Sequence, residues 1–85
     1  MNPINDIKRL ILRALYAAGG VPVPDRLLET WCMDRLAPRP LLSDVREAKR
    51  ELEAYGFLVG TKDDLETDSV VWGLTSKGTL RAKQL

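Results

Sequence analysis

Apolar residues recur at helical spacing through the first part of the chain. Ile7, Leu10, Ile11, Ala14, Leu15 and Ala18 fall on one side, and Lys8, Arg9 and Arg13 on the other. Asn2 is suited to cap this helix, and Pro3 to its first position, where a missing N–H costs nothing. Gly19 and Gly20 end it, because glycine accepts the left-handed backbone. The segment VPVP (21–24) holds too many prolines for a central strand, so at most a short edge bridge at Val21 is expected. A second helix starts at Pro24 and Asp25 and reads PDRLLETWCMDRL. Leu27, Leu28, Trp31 and either Cys32 or Arg35 mark its inner side. APRP (37–40) breaks it, since closely spaced prolines keep the backbone out of helix.

A third helix runs from Leu41 or Ser43 to Tyr55 and closes at Gly56. Leu41, Val45, Ala48, Leu52 and Tyr55 form its buried stripe, and the opposite face carries Ser43, Arg46, Glu47 and Arg50. FLVGT and SVVWGLT are β-branched and aromatic, joined by the polar KDDLETD, and predict a hairpin. Val70, Trp72 and Leu74 share one strand face, with Val71 and Gly73 on the other. Thr75 then caps a short final helix, SKGTLRAKQL, which Gly78 weakens as a helix former. The layout is a single α+β domain over residues 1–85, with no internal repeat and no low-complexity segment.

Composition narrows the function. The 85 residues carry a net charge of +1 and one cysteine, and there is no histidine. The missing histidine removes the commonest general base and the commonest zinc ligand together. No catalytic residue, metal site, cofactor or small-molecule ligand is therefore expected, and the chain reads as a non-enzyme. A lone Cys32 forms no internal disulfide and suits a reducing cytoplasm; it reads as a small buried hydrophobe. The N-terminal sequence lacks a signal-peptide layout, and no apolar run is long enough to span a bilayer.

Charge is segregated along the chain. Between Asp44 and Asp68 there are eight acids (Asp44, Glu47, Glu51, Glu53, Asp63, Asp64, Glu66 and Asp68) against four bases (Arg46, Lys49, Arg50 and Lys62). Lys77, Arg81 and Lys83 near the C-terminus, with Lys8, Arg9 and Arg13, offer a second basic surface if packing brings them together. Trp31, Trp72, Tyr16 and Tyr55 are expected in the core or at its edge.

Three helices followed by a hairpin resemble the winged-helix variant of the helix-turn-helix. REAKRELEAYGFLVG (46–60) is similar to the recognition-helix-into-strand junction of winged-helix regulators. VVWGLTSKGTL (70–80) is similar to the pattern that follows their wing, a hydrophobic residue and then Leu-Thr-x-x-Gly. The resemblance covers nearly the whole chain, and its size and layout are similar to small winged-helix proteins of bacteria and phages. It implies a cytoplasmic DNA-binding protein and small transcriptional regulator, its third helix in the major groove of double-stranded DNA.

On that reading Ser43, Arg46, Glu47 and Arg50 face the groove, Arg39 approaches the backbone from the preceding turn, and Lys62 contacts DNA from the wing. A homodimer or protein partner would extend the few base pairs that one such domain reaches. The alternative is a protein-interaction adaptor that does not bind DNA and meets its partner through Asp63, Asp64, Leu65 and Glu66. Four carboxylates in the wing loop repel phosphate, and the same acids could attract a cation only through an oxygen-ligand spacing that is not present. Leu65 is expected to fold back onto the domain.

Overall fold

The computed structural model describes residues 3–62, 65 and 69–85. Its elements in chain order are α1 (Pro3–Ala17), β1 (Val23–Pro24), α2 (Asp25–Arg35), α3 (Leu42–Ala54), β2 (Leu58–Lys62), β3 (Val70–Leu74) and α4 (Ser76–Lys83). The three strands form one antiparallel sheet in the order β1-β3-β2. Leu58 faces Leu74 and Lys62 faces Val70 across the hairpin, while β1 adds Val23 opposite Trp72 and Pro24 opposite Val71.

One core unites these elements. Ile7, Ile11, Leu12 and Leu15 of α1 meet Leu28 and Cys32 of α2 and Val45, Ala48 and Leu52 of α3; Val23, Leu58 and Ala82 close it. Each fully buried Leu or Ile contributes about 1.5–3 kcal/mol relative to an exposed one, so the helical stripe in α1 supplies much of the driving force. Trp72 and Leu74 pack against this cluster from the sheet, and Trp31 from α2, each only half-buried.

Several expected positions shift. The edge bridge forms at Val23 and not at Val21, whose N–H closes the turn after α1 by donating to the Ala18 carbonyl at 3.4 Å. Cys32, not Arg35, completes the inner side of α2, and Leu27 is exposed. Leu41 is 68% exposed because it precedes α3 in an extended conformation, so the phase of the helix does not apply to it. Tyr55 is 55% exposed; it caps the last turn, and its ring is covered by the Lys8 ammonium 5.4 Å from the centroid. Tyr16 likewise lies mostly outside the core. The expected cap at Asn2 lies outside the described residues.

The two sequence motifs behind the winged-helix resemblance meet at one junction. At the end of α3, Gly56 adopts φ +81°, its N–H donates to the Glu53 carbonyl, and the Phe57 N–H donates to the Leu52 carbonyl. That pair of bonds is a Schellman stop, which needs the left-handed residue that glycine supplies. The chain then enters β2. Thr75 returns to the same place: its N–H donates to the Phe57 carbonyl at 3.1 Å, and its hydroxyl donates to the Gly56 carbonyl. The same hydroxyl accepts the Gly78 N–H at 3.0 Å, capping α4 as expected.

Candidate nucleic-acid interface

The turn between α2 and α3 leaves the outer side of α3 uncovered. Leu42, Ser43, Arg46 and Arg50 are exposed there, Glu47 is half-buried, and Arg39 is exposed in the turn just before. Between α2, α3 and the base of the hairpin runs a groove of about 370 Å³, lined by acids of α2 (Asp25, Glu29), by Arg46, Lys49, Arg50 and Glu53 of α3, and by Val70 and Trp72 of β3. Lys62 is paired in register with Val70, a residue of the groove wall. The structure thus brings Arg46 and Arg50 into one groove, whereas Arg39, Ser43 and Lys62 are exposed but do not line it.

Neither arginine is unpartnered. Arg46 Nε donates to Glu29 Oε2 at 3.5 Å, and Arg50 Nη1 lies 3.0 Å from Glu47 Oε2 one turn back on the same helix. Exposed pairs of this kind contribute well under about 1 kcal/mol to stability, and Arg50, paired with the more exposed acid, can change partners at little cost.

The wing departs from expectation where it can be described. Asp63, Asp64, Glu66 and Asp68 lie outside the described residues. Leu65 is 93% exposed, which corrects the expected fold-back. The strand ladder ends at Lys62–Val70, a pair already outside the core cluster, and Leu65 lies beyond it.

Six groove residues, Asp25, Glu29, Lys49, Glu53, Val70 and Trp72, were not assigned a site role from sequence. Lys49 is 5% exposed, a charged side chain in the core layer of α3. Its ammonium donates to Asp25 Oδ1 and, at 3.0 Å, to Glu29 Oε2, while the Trp72 indole N–H donates to the same Asp25 oxygen at 2.7 Å. Asp25 and Glu29 are four apart on α2 and so share a face, and Lys49 directly follows the stripe residue Ala48, but nothing along the chain says that these faces meet. Burial works to raise the Asp25 pKa, but the hydrogen bonds from Lys49 and Trp72, with the positive charges of Lys49 and Arg46, together outweigh it and hold the carboxyl below its ordinary 3.8.

Because the folded pKa is the lower one, the stability from Asp25 is present above the ordinary value and is lost as pH falls through the folded value. Replacing Lys49 with Met leaves two partly buried carboxylates without their shared cation. A fully buried pair broken this way costs about 3–5 kcal/mol; the partial exposure of both acids reduces this to about 2 kcal/mol, a drop in Tm of roughly 10 °C. In thermal melts across pH 2–7 the variant's deficit against the native chain should be largest near neutral pH and should narrow as pH falls, because protonation of Asp25 then relieves the unpaired carboxylate in the variant and removes a favourable pairing in the native chain. A deficit that stays constant across this range would show that Lys49 does not hold Asp25 ionised.

Away from this groove, Arg9 of α1 and Arg81 of α4 do converge, lining a separate groove of about 180 Å³ with Leu12, Leu52 and Phe57. Two further bases of that side are committed: Lys8 pairs with Glu51 at 2.8 Å, and Lys77 donates to the Tyr55 carbonyl at 2.8 Å. Cys32 is buried, and burial pushes its thiol up to about 11, in line with an inert role. Among the described residues no group of His, Cys, Asp and Glu could hold a metal ion, and no helix is long and apolar enough to cross a membrane.

No protein-family model matches the sequence, and no curated protein matches it. Solved structures do. The adhesin competence repressor AdcR of Streptococcus pyogenes superposes with a TM-score of 0.72 at 20% identity, over 93% of this chain and 51% of that one. FabT of Streptococcus pneumoniae, solved in complex with DNA, gives 0.73 at 18% identity over 91% of this chain and 48% of its own. ZitR of Lactococcus lactis, as a double variant in its apo form, gives 0.73 at 16% identity over 95% and 55%. The chain spans about half the length of these structures. Element order, strand order and these superpositions agree: the chain folds as a winged helix, α2 and α3 forming its helix-turn-helix and β2–β3 its wing hairpin.

Proposed function

We propose that the chain is a cytoplasmic, non-enzymatic winged-helix regulator of transcription, acting as one domain over residues 1–85 and binding double-stranded DNA with α3 in the major groove. The observation that carries this is the projection of Arg46 and Arg50 from the uncovered side of α3 into a groove that the hairpin borders. Ser43 and Arg39 stand where backbone phosphates pass the start of such a helix, Glu47 lies beside Arg50, and Lys62 reaches from the hairpin. Likeness in fold to a protein solved on DNA supports the same reading. The adaptor alternative is not favoured by these structural neighbours.

The test is fluorescence anisotropy of a labelled mixed-sequence duplex titrated with the protein at several salt concentrations. Three phosphate contacts, by Arg39, Arg50 and Lys62, give a slope of log K against log salt of about −3. No binding at the lowest salt would remove DNA from the account and direct attention to the exposed Leu65 as a protein contact.

A further inference from the structure

We propose that Glu29 is a positioning residue for Arg46, and that Arg46 is the side chain of α3 that reads a guanine. The inference deepens the DNA reading above and rests on it. Glu29 Oε2 accepts a hydrogen bond from the Lys49 ammonium at 3.0 Å, and that ammonium is itself fixed in the buried layer between α2 and α3 by Asp25. The same Glu29 oxygen faces Arg46 Nε at 3.5 Å. A fixed acid on one helix therefore holds the guanidinium of the next.

Holding it by Nε matters chemically. The terminal pair, Nη1 and Nη2, is left for two further acceptors, and the guanine edge in the major groove presents two, O6 and N7. Arg50 is held differently: its Nη1 pairs with Glu47, a more exposed acid on the same helix. That contact occupies the fork itself, and Arg50 is 74% exposed, so it suits a phosphate it can follow. The groove wall adds discrimination. Asp25, Glu29 and Glu53 line it with Arg46, and carboxylates repel a phosphate far more than the partial charges of a base edge. Arg46 is thus presented to a base, with phosphate disfavoured beside Asp25 and Glu29 on the α2 side of the groove.

The experiment uses the full chain. A randomised duplex pool is selected with the native protein and with Glu29→Ala, Glu29→Gln and Arg46→Ala, and affinities are then measured on the selected site, on its guanine-substituted form and on a mixed-sequence duplex. The native protein should enrich one position as guanine, preferred about 5- to 150-fold over other bases. Arg46→Ala should erase that preference. Glu29→Ala should reduce it at least about threefold while affinity for the mixed duplex holds or rises, since a carboxylate has left the face. Glu29→Gln should restore it, because the amide oxygen still accepts from both Lys49 and Arg46. Lys49 keeps Asp25 in Glu29→Ala, and thermal melts verify that the variant is folded.

An unchanged guanine preference in Glu29→Ala overturns the proposal, as does an equal loss on every duplex, which would mark a purely structural effect. A native protein that binds duplex with no preferred guanine overturns this inference and leaves the DNA reading standing. A native protein that binds no duplex overturns both.

Discussion

Alanine at both Arg46 and Arg50 is expected to lower duplex affinity by about 30- to 1,000-fold while leaving the melting midpoint within about 4 °C of the native chain. A bidentate base contact is worth about 1–3 kcal/mol and a phosphate contact about 1 kcal/mol, which together span that range. The charge left behind deepens the effect, since Asp25, Glu29 and Glu53 remain in the groove with only Lys49 to offset them. Stability changes little because both side chains are exposed and their ion pairs are marginal; surface changes of this kind stay within about 0.5 kcal/mol. The two single variants divide the result. Arg50→Ala should weaken all duplexes alike and reduce the salt slope by about 1, and Arg46→Ala should act on preferred sequences. Full affinity in the double variant, measured by the same anisotropy titration, would take α3 out of the interface altogether.

The largest expected effect on folding comes from one methyl group. Gly78→Ala places a Cβ 2.0 Å from the Phe57 carbonyl oxygen and 2.9 Å from its carbon, both backbone atoms that cannot swing aside. Relief requires α4 to lift from the α3–β2 junction, which breaks the Thr75 N–H bond to that same carbonyl. On an exposed helix the exchange of Gly for Ala gains up to about 1 kcal/mol, so propensity and packing pull in opposite directions here. Packing wins: overfilling a tight contact costs about 1–3 kcal/mol or more, and the net loss expected is about 2–3 kcal/mol, a fall in Tm of roughly 15 °C by calorimetry. A rise in Tm would mean that α4 is not seated on Phe57.

This glycine also shows what a sequence can and cannot convey. As a letter in SKGTLRAKQL it counts against a helix, and local propensity offers no reason for its presence. The reason is a long-range approach between residues 57 and 78, which only the packed chain reveals. The helical stripes of α1 and α3, the Gly56 stop, the hairpin and the Thr75 cap were legible because each follows from neighbours along the chain. The exposed face of α3 was legible for the same reason, since a helix phase fixed by Val45, Ala48 and Leu52 dictates where Arg46 and Arg50 must point.

Lys49 was not legible as a core residue. Its burial depends on Asp25 and Glu29 arriving from another helix and Trp72 from a strand, and no local pattern announces that meeting. Leu41 and Tyr55 failed in a simpler way. They extend the apolar stripe by one step at each end, past the point where the helix still has a partner to pack on. Leu65 was expected inside on the ground that apolar side chains seek cover, a rule that its 93% exposure beyond the end of the ladder does not follow.

The two-residue strand β1 has a consequence for how copies of the molecule can meet. It forms one margin of the sheet, covering β3 at Val71 and Trp72. Pro22 and Pro24 flank Val23 there, and proline has no N–H to offer. A foreign strand laid along this margin would find acceptors without the matching donors, so the ladder cannot grow outward from β1. Fibrillar stacking through that side is closed by covalent chemistry, at a cost of only two residues of strand.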